Sequence, residues 1–317
     1  MSNDNSVFIS WTRGNPRTRD LGRRLALDVV FVHRQGNLFG RYFKQGYATW
    51  RTLRARKPQV IVIMLPPFPL LLIAALYAKL HRCALIADMH TGAFNDPRWK
   101  WSLPLTLRLL RGRTAVVTNS FLANLCEDKG VRAVVLHDVI EVCGAGERHF
   151  QGNAVLCPVS YANDEPIEEI MEAARLTPEL EWILTGNAPR NVQMSAPTNV
   201  TFTGFVSDDS FVQRMEEAGV VLALTTRPHT MQRAGYEALS FGVPQVTSDF
   251  PVLREFLSEA ASYTDLTGTE IARSVKNVLE RRSEITSAVV RIREERMAEQ
   301  QNQLKRLAAS IEDGSRI

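Results

Sequence analysis

Glu237 lies in "YEALSFGVPQVTSD" (236–249), a helical stretch that turns at a Gly-Val-Pro corner into a short apolar strand. Its neighbours Ala234, Ala238, Leu239 and Phe241 are built for packing, so the carboxylate needs a partner of its own. Two carboxylate oxygens can accept a pair of vicinal hydroxyls. Just upstream, Arg227 and His229 precede a helix expected to begin at Met231, Gln232 and Arg233. A helix amino-terminus with cations beside it favours an anion. Phosphate at the helix start and ribose hydroxyls on Glu237 is the chemistry of holding a nucleotide diphosphate. "TFTGFVSDD" (201–209) adds Gly204 and Phe205 between a strand and a helix that Ser207 or Asp208 would cap. A backbone opened by glycine there can receive a flat base.

Two further groups lie in the first half of the chain. In "DMHTGAF" (88–94), Asp88 and His90 share a strand end, where the carboxylate can orient the imidazole or act as a base itself. "WTRGNPRTRDLG" (11–22) follows the first strand and carries Arg13, Gly14 and Arg17 ahead of a helix, which reads as a phosphate or acceptor loop.

The elements that must hold these groups follow a repeated pattern. Short apolar runs at 6–10, 28–33, 60–64, 84–88, 114–118 and 132–136 alternate with helical stretches, the signature of a parallel sheet covered on both faces. Periodicity stops over 141–152, "EVCGAGERHFQG", and then restarts with strands at 154–159, 181–185, 200–203, 219–224 and 244–247. The expectation is an α/β protein of two Rossmann-like, doubly wound domains, 1–143 and 144–317, with ligands in the cleft between them at the strand ends. The stretch 269–311 reads as a charged helical tail packing through Ile285, Val289, Ile292, Met297, Leu304 and Leu307.

Composition narrows the choice of chemistry. With 317 residues and 45% hydrophobic content, two cores can be buried. Cys83, Cys126, Cys143 and Cys157 show no CxxC or CxxH spacing, and they read as free thiols of a reducing compartment. The apolar run 60–78 approaches the length of a membrane span, but Pro66, Pro67 and Pro69 divide it into a strand, a turn and a helix over about 69–80. The start lacks a signal-peptide pattern, so a cytoplasmic protein is expected. There is no GxGxxG after the first strand, no GxxxxGK[ST] and no HExxH. No cofactor or metal is expected. Residues 1–140 carry a net charge of +13 and residues 141–317 of −9, so the first half suits phosphates on a ligand or an anionic membrane surface. Nucleic acid is not expected, because the basic half lacks aromatic interleaving and any helix-turn-helix pattern.

The block 227–249 resembles the donor-site signature of GT-B glycosyltransferases, particularly family 4 and the dolichol-pathway β-mannosyltransferase group. Their pattern, E-x7-E-A-x-x-x-G-x-P-V-V-x-[ST]-D, is matched by Glu237, Ala238, Gly242, Pro244, Val246, Ser248 and Asp249. "VTFTGFV", "LPPFP" and "DMHTGAF" resemble the family's other loops. The resemblance implies that Glu237 grips the ribose of a nucleotide-sugar, that the Gly204 loop meets the base and that His90 faces the sugar. Two positions depart from the family. His229 stands where the first glutamate of the pattern belongs, and "PVSYANDEPIEE" lacks the Arg and Lys that many members place there for the pyrophosphate. Arg227, Arg233, Arg13 and Arg17 are the cations left for that task.

The sequence therefore predicts a metal-independent glycosyltransferase that moves a sugar from a nucleotide diphosphate to a hydroxyl of a glycan or lipid-linked acceptor, at the inner face of a membrane or in the cytoplasm. A nucleotide-sugar epimerase of the same fold, or a non-catalytic nucleotide-sugar-binding partner, remains an alternative.

Overall fold

The computed structural model describes residues 6–143 and 152–314. These fall into two compact units, Met1–Val139 with Gln300–Ile317, and Ile140–Glu299. Most of the linker expected at 141–152, and with it the start of the expected second domain, lies outside the described residues.

The first unit contains strands β1 (Ser6–Ser10), β2 (Asp28–Phe31), β3 (Val60–Leu65), β4 (Ala84–Met89), β5 (Thr114–Val117) and β6 (Arg132–Val135). They form one sheet in the order β2-β1-β3-β4-β5-β6 with every pairing parallel. β3 is buried along its whole length, as a run of Val, Ile, Met and Leu covered on both faces must be. Helices α1 (Pro16–Arg24), α2 (Leu38–Arg56) and α3 (Phe68–His81) supply the first crossovers. The apolar run 60–78 is thus divided at Pro66 and Pro67 between β3 and α3, and no helix among the described residues is long and apolar enough to cross a membrane.

The second unit contains β7 (Val155–Cys157), β8 (Trp182–Thr185), β9 (Val200–Gly204), β10 (Val220–Ala223), β11 (Gln245–Ser248) and β12 (Ala261–Thr264). Their order is β12-β11-β10-β7-β8-β9, again parallel throughout. The two sheets are the doubly wound pair expected from the sequence, with β12 as an additional edge strand. The expected helical tail is two helices, Gly268–Glu280 and Arg282–Gly314, separated at Arg281. Ile285, Val289 and Ile292 of the longer helix are buried in the core of the second unit. Leu307 and Ile311, by contrast, are buried with Phe8, Leu21 and Val62 of the first, so the helix does not belong wholly to the second domain as expected.

In each sheet the strand order reverses once, between β1 and β3 and between β7 and β10. Connections leave in opposite directions at such a point, and the strand ends there bound a crevice suited to ligands.

Candidate functional site

In the second unit the reversal lies between the loops that follow β7 and β10. The loop after β10 is held from below and from the side. Ser248, at the end of β11, donates its hydroxyl to the Thr225 carbonyl at 2.7 Å and accepts the Thr225 amide at 2.8 Å. Thr225 Oγ1 donates to Asp164 Oδ2 at 3.1 Å, the Thr226 amide donates to the Asp164 carbonyl at 2.8 Å, and Gln232 Nε2 reaches Asp164 Oδ2 at 3.3 Å. Asp164 is buried and belongs to the loop after β7, so a single carboxylate ties both sides of the reversal together. Arg227 lies 3.6 Å from the same carboxylate and donates to Asn163 Oδ1.

Gln232 is the N-cap of the Arg233–Phe241 helix, and no side chain caps it. Met231 packs against the core of the unit, and His229 adopts a positive φ of 61° in the preceding loop. Burial pushes the His229 imidazole below its ordinary pKa, so it favours the neutral form. Glu237 projects from the helix about one turn down and accepts from Arg233 Nε at 2.7 Å. The helix stops at Gly242, whose φ of 73° is costly for any residue with a Cβ. The Val243 amide then closes on the Ala238 carbonyl at 2.9 Å, which produces the corner read from the sequence.

The loops after β8 and β9 are built on glycines. Gly186 after β8 donates its amide to the Gly204 carbonyl at 2.8 Å, and a Cβ on Gly186 would come within 2.1 Å of the Val159 carbonyl oxygen. Gly204 has φ 69° with open space where a Cβ would point, and Phe205 beside it is 86% exposed. Ser207 caps the next helix by accepting from the Ser210 amide at 3.3 Å. The loops after β9, β8, β7 and β10 therefore form one continuous row along the carboxyl edge of the sheet. Such a row can take a base at Gly204, a diphosphate at the helix start and a ribose at Glu237.

In the first unit the edge is ionic. Arg17, in the first turn of α1, is 3% exposed, and its guanidinium donates to Asp88 Oδ1 at 2.9 Å, to Asp138 Oδ1 at 2.8 Å and to the Leu136 carbonyl at 3.0 Å. This corrects the sequence reading of Arg17 as a phosphate cation: its donors are already directed at two carboxylates and a carbonyl. Arg13 remains exposed, with Nε 3.1 Å from His33 Nε2, and Gly14 is exposed beside it. Asp88 is 1% exposed and also lies 3.2 Å from His90 Nε2. Burial alone would push the Asp88 carboxyl up, but Arg17 and then His90 outweigh it and hold it well below the usual carboxylate range. A carboxylate held so far down is a poor base at neutral pH. It can instead accept a hydrogen bond from His90 Nε2 and so orient the ring.

Asp164, Thr225 and Asp138 were not among the residues singled out from the sequence. Asp164 lies in the polar, turn-like "YANDEP", where a carboxylate looks like an ordinary cap. Asp138 did leave a signal, since with His137 it interrupts the apolar run "VVLHDVI" just past a strand end. Among the described residues no three His, Cys, Asp or Glu side chains are grouped to hold a metal ion.

No protein-family model and no curated protein sequence matches the chain. Solved structures match it in fold over nearly their whole length. HepE of Anabaena, crystallised with UDP-glucose, has a TM-score of 0.74 at 15% identity over 96% of this chain and 99% of its own. Sucrose-phosphate synthase of Thermosynechococcus elongatus has a TM-score of 0.71 at 14% identity over 96% and 98%. A Listeria monocytogenes protein assigned as a UDP-N-acetylglucosamine 2-epimerase follows with a TM-score of 0.63 at 10% identity over 90% and 91%. The chain thus has the GT-B architecture of two Rossmann-like domains.

Proposed function

We propose that the protein is a glycosyltransferase that moves a sugar from a nucleotide diphosphate donor to an acceptor hydroxyl. The observation that carries this reading is the row of loops in the second unit, in which Gly204 and the uncapped start of the Arg233–Phe241 helix lie along a single sheet edge, with Glu237 about one turn into that helix. The resemblance to family 4 and to the β-mannosyltransferase group assigns the roles. The Gly204 loop with Phe205 meets the base, the helix start at Met231 and Gln232 with Arg227 meets the diphosphate, and Glu237 accepts the ribose hydroxyls. His229 occupies the place of the family's first glutamate, so the contact made there is one to a neutral imidazole rather than to a carboxylate. Because HepE was crystallised with UDP-glucose, a uridine nucleotide is the first donor to test.

His90 faces the transferred sugar, with Asp88 orienting its ring, Arg17 holding Asp88 and Asp138 holding Arg17. Arg13 and Gly14 line the acceptor side. Charge leaving with the nucleotide is stabilised by backbone amides and Arg227, which requires no metal for that step. The acceptor is a glycan or a lipid-linked glycan, met at a membrane surface.

The test is calorimetric titration of UDP into the wild-type chain and Glu237→Gln, beside a transfer assay with UDP-sugars and lipid extracts. Hydrogen bonds to a charged group contribute about 1.5–3 kcal/mol, so the variant is expected to bind at least ~tenfold more weakly with its fold intact. Equal affinity would remove the ribose assignment. The fold shared with the epimerase keeps a second reading open, and incubation with a UDP-sugar alone separates them: an epimerised sugar without any acceptor would replace the transferase assignment.

A further inference from the structure

The first unit carries a surface that the donor chemistry does not use. On α2 Phe39 is 88% exposed, Phe43 77% and Tyr47 60%. They recur every four residues and so lie along one side of the helix, while Gln45, Gly46, Thr49 and Leu53 are buried on another. α3 repeats the arrangement. Leu70, Leu71, Ala74, Ala75 and Ala78 are buried, and Leu72, Leu76 and Leu80 are exposed at the same spacing. The two helices pack against each other, so closely that a Cβ on Gly46 would come within 2.7 Å of Ile73 Cδ1. Exposed Trp101 extends the apolar surface beside Phe68 at the start of α3, with ring centroids 5.9 Å apart. Single exposed apolar residues are ordinary, but two exposed stripes on neighbouring helices call for a partner.

Charge selects that partner. Residues 29–87 contain nine Lys and Arg and no Asp or Glu. Basic residues interleave with the aromatic stripe, and the Arg51 guanidinium lies 5.9 Å from the centroid of the Tyr47 ring. Arg34, Lys44, Tyr47, Arg51 and Arg56 line a shallow pocket of about 530 Å³ between α2 and the edge strand β2. A second copy docking through the same face would bring the same positive charge to this surface and be repelled. A bilayer with anionic headgroups satisfies both features at once, taking aromatic and leucine side chains into the acyl boundary and meeting Lys and Arg with phosphate.

We propose that α2 and α3 dock the first unit onto an anionic lipid bilayer. As the place where a lipid-linked acceptor is met, this surface rests on the transferase reading, but docking itself needs neither donor nor acceptor, so the two ideas fail separately. The test is sedimentation of the full chain with vesicles of phosphatidylcholine alone and of equal parts phosphatidylcholine and phosphatidylglycerol, with melting temperature as the check on folding. The wild type is expected to sediment with the anionic vesicles and not with the zwitterionic ones. Two double variants, Phe39→Ser with Phe43→Ser and Lys44→Glu with Arg51→Glu, are each expected to bind at least ~tenfold more weakly while melting as the wild type does. All four positions are exposed on the helix surface apart from the ring contact of Arg51, so either pair alone can carry the test if the other unfolds. Wild-type binding that is absent or equal for both vesicles, or variants that fold and bind like the wild type, would overturn the proposal. A self-associated species in the wild type that the Phe39→Ser, Phe43→Ser variant loses, without vesicle binding by either, would assign the face to a second copy instead.

Discussion

Asp88 stands between a permanent cation and an imidazole, and this decides what His90 can do. Held by Arg17, the carboxylate keeps its charge and offers its second oxygen to His90 Nε2. His90→Ala is expected to lower turnover by roughly 10²–10⁴, the range of lost acid–base help, with UDP affinity unchanged. Asp88→Asn is expected to cost less, because it disturbs the orientation of the ring and removes no base. A loss as severe as that of His90→Ala would return the base role to Asp88. Arg17 gives a separate signature in stability. Arg17→Met leaves Asp88 buried without its cation, which costs about 3–5 kcal/mol at neutral pH. The folded carboxyl of the wild type titrates below its unfolded value, so the contribution of the pair is present above the ordinary carboxylate pKa and is lost as pH falls through the folded one. Urea denaturation should therefore show the gap between the two proteins narrowing as pH falls, because Asp88 of the variant, buried without its cation, takes up a proton at a pH where the wild-type carboxylate is still ionised. The Asp88–His90 pair was legible in the sequence, but its links to Arg17 and Asp138 were not. Residues 17, 88 and 138 are far apart in the chain, and each alone resembles a solvated charge or a strand-end acid.

Elements were more legible than contacts, because a buried parallel strand writes itself as a continuous apolar run. Eleven strands follow from such runs. β12, "ASYT", does not, since an edge strand has one side unpaired and tolerates Ser and Thr. The division of the tail at Arg281 was equally hidden, as neither glycine nor proline marks it. The corner at 241–245 was read correctly as a helix end from Gly242 and Pro244, whereas the reason for Ser248 appears only in three dimensions. Its hydroxyl both donates to and accepts from Thr225 across the neighbouring strand. Ser248→Ala leaves two buried backbone groups without that partner, a loss of about 1–3 kcal/mol. It should also weaken UDP binding, because the loop from Thr225 to Gln232 loses its anchor. Lower stability in urea with unchanged UDP affinity would confine Ser248 to folding.

At the scale of the whole molecule the charge difference between the halves was plain from the sequence, but the sharing of one helix by two cores was not. A periodic apolar stripe shows that a helix is buried and not which residues bury it. Leu307→Ala is expected to destabilise by about 2–5 kcal/mol. Hydrogen exchange should speed up in β1 and β3 and leave β7, β10 and β11 as they were, whereas equal acceleration in both sheets would mean that the units unfold as one. The same helix sets an order of events. During synthesis the chain of the first sheet leaves the ribosome long before Leu307 and Ile311, with all of Ile140–Glu299 made in between. Domains made first usually fold first. Here the earlier unit must wait with Phe8, Leu21 and Val62 incompletely covered, and the later one, whose core needs nothing beyond Glu299, is free to finish before it. A protein translated from one end is thus completed from the other.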